Sequence, residues 1–130
     1  MDPTTLDYQM GDLIACLTTL DDPDSIRYVK IAIRTDVHGQ AGYHGEVMAG
    51  IEDGARVWGY DDRIIWARSK ADGAESFRWV GEIGDPHFER FCTWWQLRWQ
   101  WTRTGAEIRI NDYWKPIAPG AVLTMGKPAT

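Results

Sequence analysis

The chain has 130 residues, 44% hydrophobic and 25% charged, which suits one soluble globular domain and excludes a disordered or fibrous chain. Its net charge of −5 argues against a protein that grips nucleic acid through a general basic excess. The acidity is uneven: residues 1–26 hold six aspartates and no lysine or arginine, while the remainder sets 14 basic residues against 13 acidic ones.

Two cysteines, Cys16 and Cys92, stand far apart, which gives neither a disulfide framework nor a thiolate zinc site. The acidic start lacks a secretory signal pattern, and Leu13 to Leu17 is too short to span a bilayer. The chain therefore reads as cytoplasmic, with reduced thiols.

In chain order, Leu6, Met10, Leu13, Leu17 and Leu20 recur at helical spacing, so an amphipathic helix is predicted over 1–22. Asp2-Pro3 would start it and Asp22-Pro23 would end it. From Val29 to Val37 the period falls to two, which predicts a strand, and a second follows from Tyr43 to Ile51. Further strands are predicted at 55–60, 63–69 and 76–83, with Asp53-Gly54 and Asp72-Gly73 as tight-turn signals. Around Asp72-Gly73, a two-residue loop would set Trp66 opposite Trp79. After a helical turn at Asp85-Pro86, a hairpin at 93–104 and 107–115 would turn on Gly105-Ala106 and set Trp101 opposite Ile110. Residues 116–130 read as an irregular tail. The expected fold class is α+β, mainly β: one N-terminal amphipathic helix and about seven antiparallel strands in a strongly bent sheet or partial barrel. All of 1–130 is read as a single domain, with 27–115 built of antiparallel hairpins.

The first two strands carry the densest polar group. If Thr35 opposes Val47, a five-residue loop sets His38 opposite His44 and Asp36 opposite Glu46. Two imidazoles and two carboxylates so placed could take a divalent metal, the one cofactor the sequence suggests. Cys92 and His87 lie near each other but in no recognisable nucleophile motif, so no catalytic residue is assigned.

All eight tryptophans lie between Trp58 and Trp114. Most fall on apolar faces and read as core. Trp94 falls on the polar face of its strand with Gln96 and Arg98, and Trp58 and Tyr60 could line a pocket.

The leading expectation is a noncatalytic binding protein acting through protein–protein contact, in effect a small acidic inhibitor or adaptor. Asp12, Asp21, Asp22 and Asp24 would meet a basic partner surface, with Trp94 and Arg98 as anchors. One version is a phage-type inhibitor that covers the nucleic-acid-binding surface of a host machine. Neither direct nucleic-acid nor membrane binding is expected. The alternative is a carrier or metal-dependent enzyme using Asp36, His38, His44 and Glu46. A further alternative is a carbohydrate-binding module built on Trp94.

Overall fold

Where the helical period predicts a helix, the computed structural model places a strand. It describes residues 6–19, 22–79, 86–94, 96–103, 105–110, 112–117 and 122–126. Gly11 has φ 89°, a left-handed turn that a helix does not tolerate. Its amide donates to Ile31 O at 2.8 Å, and Ile31 N donates to Asp12 O at 2.9 Å. The backbone bonds of this segment therefore run to another strand. Leu6 is 1% exposed and Met10 73%, so the spaced apolar residues share no face. The five apolar residues Leu13–Leu17 form a strand buried on both sides, with Ile14 and Cys16 in one cluster and Ala15 and Leu17 in another. This corrects the expected amphipathic helix.

The described residues form ten strands and one α-helix. These are β1 (Leu13–Leu17), β2 (Ile26–Val37), β3 (Gln40–Gly50), β4 (Arg56–Tyr60), β5 (Ile64–Arg68), β6 (Glu75–Arg78), α1 (Pro86–Trp94), β7 (Trp99–Thr102), β8 (Gly105–Ile110), β9 (Tyr113–Ile117) and β10 (Val122–Gly126). A seven-stranded sheet runs β10-β6-β5-β1-β2-β3-β4, and a three-stranded sheet runs β7-β8-β9. Every pairing is antiparallel. The stretch read as an irregular tail contains β10, which pairs with β6.

Two apolar clusters divide the core between the faces of the larger sheet. One joins Ala15, Leu17, Trp66, Phe77 and Trp79 to Phe88 of α1 and to Ala106, Ile108 and Ile117 of the smaller sheet. Burial of these side chains is the main force joining the two sheets. The other holds Leu6, Tyr8, Ile14, Val29, Ile31, Tyr43, Val47 and Ile64, with Val57 and Val122 packed against it. Val57 and Val122 belong to the two outermost strands, so the sheet wraps around this second cluster.

Three hairpins change register, and the single strand expected over 107–115 is divided into β8 and β9, which pair with each other. Trp66 pairs with Phe77, not Trp79. Trp101 pairs with Ala106, not Ile110, because the turn lies between Thr102 and Gly105. Residues 86–94 are helical, so no strand begins at 93, and Trp94 has no place on a strand's polar face. In the third hairpin, β2 and β3 are joined by the two-residue turn His38-Gly39, with φ of 51° and 83°. These angles belong to a type I′ turn, whose twist matches that of the flanking strands.

Candidate functional site

The β2–β3 register decides what the polar residues of this hairpin can do. Val37 pairs with Gln40, Asp36 with Ala41, Ile33 with His44, and Lys30 with Glu46. His38 therefore sits in the turn and does not oppose His44, and Asp36 does not oppose Glu46. Asp36, His38 and His44 still border one pocket with Val37 and Trp58, whereas Glu46 lines a different one. Among the described residues, no three His, Cys, Asp or Glu side chains converge as a metal would require. The short turn thus breaks up the expected metal set Asp36, His38, His44 and Glu46.

A register shift between Ile31 and Ile33 creates a bulge at Ala32. One extra residue reverses the alternation of the strand that follows. Ile31 is 2% exposed in the inner cluster, whereas Ile33 is 54% exposed on the outer face. Two cross-strand rows span that face. Lys30 pairs with Glu46, which pairs with Arg56; Ile33 pairs with His44, which pairs with Trp58. A second register shift, between Tyr28 and Val29, leaves Met48 without a cross-strand partner and 52% exposed.

Between these rows lies a groove of about 540 Å³. Its lining includes Lys30, Ala32, His44, Glu46, Arg56 and Trp58, with buried Ile31 beneath. Bulged strands bend and twist more strongly, which makes this part of the face concave. The side chains of Lys30, Arg56, Glu46 and His44 form no ion pair or hydrogen bond among the described residues.

One end of the groove is braced by three rings. The His38 and Trp58 centroids are 4.9 Å apart and those of Trp58 and Tyr60 5.6 Å, both edge to face. His38 Nδ1 lies 3.0 Å from Tyr60 Oη. From the inner side, Arg27 Nη2 donates to Trp58 O at 3.1 Å, while its Nη1 pairs with Glu52 at 2.6 Å. The indole is therefore held in place yet remains 47% exposed.

Beneath the same hairpin lies a polar network. The Tyr8 hydroxyl donates to Asp61 Oδ1, and Arg34 Nη2 donates to Asp61 Oδ2 at 3.1 Å. The Arg34 guanidinium also lies 4.4 Å from the centre of the Tyr8 ring. Burial, followed by the bond to Asp61, pushes the Tyr8 phenol above its ordinary range. Tyr43 Oη lies 3.0 Å from Cys16 Sγ, and burial likewise raises this phenol. Burial pushes the Cys92 thiol up to about 12. Both cysteines are free and buried, and the structure positions neither as a nucleophile.

The acidic residues expected to meet a partner are mostly engaged within the protein. Asp12 is 4% exposed; its carboxylate accepts from Gln9 N at 3.0 Å and from Lys70 N at 2.7 Å. In the folded chain it therefore serves as a structural brace, its carboxylate turned inward. Asp22 accepts from Asp24 N at 3.0 Å, and Asp24 pairs with Arg90 at 2.5 Å. Arg98 is exposed. Asp21 and the Trp94 side chain lie outside the described residues.

Of the groove's lining, Trp58 was legible in the sequence as a pocket residue and His44 and Glu46 as ligand candidates. Lys30, Ala32 and Arg56 were not, and an unbulged strand would hide the neighbouring Ile33 in the core. Among the described residues, no helix is long and apolar enough to cross a membrane. No family model, curated protein or solved structure matches the chain.

Proposed function

We propose that the chain is a noncatalytic binding protein that acts through protein–protein contact, with the outer face of β2, β3 and β4 as the contact surface. The observation that carries this reading is the exposure of Ile33 and Trp58, by 54% and 47%, in one cross-strand row through His44 on that face. Single apolar residues are ordinary on a protein surface, but two in one row beside a groove flanked by charges point to a contact site. Tryptophan is also the side chain whose truncation most often costs a complex its affinity. The Trp58 ring already packs against His38 and Tyr60, so less side-chain entropy remains to be lost on binding.

Among the described residues, the smaller sheet offers no such row. Trp101 and Tyr113 are exposed, but they lie on its two outer strands in different pairing rows, roughly 15 Å apart by strand geometry. The test is partner capture from the cells of origin with tagged protein. Trp58→Ala combined with Ile33→Ser should reduce recovery of the specific partner by roughly tenfold or more. Trp101→Ala should leave it unchanged. Loss with Trp101→Ala, and retention with the double variant, would overturn this reading.

A further inference from the structure

The groove also defines what kind of partner segment it takes. We infer that it receives an extended peptide segment of the partner that carries an acidic residue two positions from an aromatic or aliphatic one. This rests on the protein-contact reading above and deepens it. Three features of the face lead to it.

The first is charge. Lys30 and Arg56 flank the groove from β2 and β4, and neither side chain is paired among the described residues. The single carboxylate between them is Glu46, cross-strand neighbour to both. At neutral pH this row carries two positive charges and one negative, although the whole chain is at −5. A local positive row on an acidic protein steers a short acidic segment, while the overall charge disfavours a long polyanion. This complementarity separates an acidic peptide from a nucleic-acid strand.

The second is spacing. Arg56 and Trp58 are two residues apart on β4 and face the same side, which puts them about 6.8 Å apart along the strand. Alternate side chains of an extended ligand repeat at the same interval. An acidic group over Arg56 therefore places the ligand's next same-side residue over the indole. The third is the exposed apolar part of the lining, Ala32 and the Trp58 ring, which rewards burial of that second residue.

Glu46 gives the inference a signature of its own. It is exposed, unpaired among the described residues and central to the positive row, so it repels the ligand's carboxylate. Its removal should therefore strengthen binding, an outcome that a purely structural role does not produce.

The experiment uses fluorescence anisotropy with the full chain. The probe is a labelled serine-rich peptide in which glutamate and phenylalanine alternate with serine. Its counterparts carry glutamine or lysine in place of glutamate, and a single-stranded oligothymidylate serves as the polyanion. The glutamate peptide should bind at least roughly tenfold more tightly than its glutamine counterpart, and the lysine form should bind more weakly still. Binding should weaken as salt screens the charges. Lys30→Glu, Arg56→Glu and Trp58→Ala should each reduce the glutamate peptide's affinity severalfold or more, and Glu46→Gln should raise it. Lys30→Gln, the milder change, should give a smaller loss in the same direction, and circular dichroism should show all the variants folded. Equal binding of the glutamine and glutamate peptides would overturn the acidic assignment. Preferential binding of the oligonucleotide would overturn it too, as would no peptide binding by a chain that still captures its partner through Trp58. That last result leaves the protein-contact reading standing, whereas loss of Trp58-dependent capture removes that reading itself.

Discussion

Asp12 shows how far a residue's role depends on where its segment lies. On a helix it would be one of several solvated acids; in the structure it is 4% exposed and accepts two backbone N–H bonds. Its carbonyl also receives Ile31 N, so this one residue ties the N-terminal segment to β2 and to the turn after β5. Asp12→Ala would strand two amides and should cost roughly 2–3 kcal/mol of stability. Urea denaturation measures this directly, and a loss below about 0.5 kcal/mol would contradict the bracing role.

The buried acids with raised pKa make a second residue-level prediction. In the folded chain the Cys92 thiol keeps its proton up to about pH 12, and Tyr8, Tyr28 and Tyr43 are all raised, burial being the first cause in each. In the unfolded chain these groups ionise near their ordinary values of 9.0 and 10.0. Above those values the unfolded state binds fewer protons than the folded one, so stability falls as pH rises. The contribution is fully present below about pH 9 and is lost first through Cys92, then through the tyrosines. Each group adds a slope of up to about 1.4 kcal/mol per pH unit in its own window. Cys92→Ala should flatten the first part of the fall in a series of denaturation curves at rising pH. An unchanged slope in that variant would refute the assignment.

At the scale of elements, strand positions and faces were far more legible than register. The hairpin after β5 slides by two residues from the expected pairing, and the β7–β8 hairpin slides by four. Even slides preserve which side chains share a face, so Trp66, Phe77 and Trp79 still end in one cluster. The β2–β3 hairpin slides by five, and an odd slide exchanges the faces. Apolar matching alone favoured the longer loop, but the two-residue turn at His38-Gly39 and the bulge at Ala32 together satisfy the twist and the core. Such a bulge has no fixed sequence mark, and it is what separates Ile31 in the core from Ile33 at the surface. The N-terminal segment went wrong for a related reason. Five consecutive apolar residues fit a central strand as well as a helix, and the φ of 89° at Gly11 becomes visible only in the structure.

Across the whole molecule, the described tryptophans divide between the core and two surfaces, with Trp101 exposed on the smaller sheet. Trp66 and Trp79 are buried and Trp99 packs against their cluster, whereas Trp58 stays exposed beside the groove. The charge asymmetry also reads differently in three dimensions. The acidic start is spent partly on bracing and capping, while the outer face of β2, β3 and β4 carries Lys30 and Arg56, unpaired among the described residues. The central claim is that this face, and not the smaller sheet, meets the partner. Photo-crosslinking in the cells of origin tests it most directly, with a photoreactive phenylalanine analogue placed either at Ile33 or at Tyr113, exposed by 54% and 71%. The expected result is a discrete crosslinked partner from position 33 that disappears with Trp58→Ala, and none from position 113. A partner trapped from position 113 and not from position 33 would contradict it.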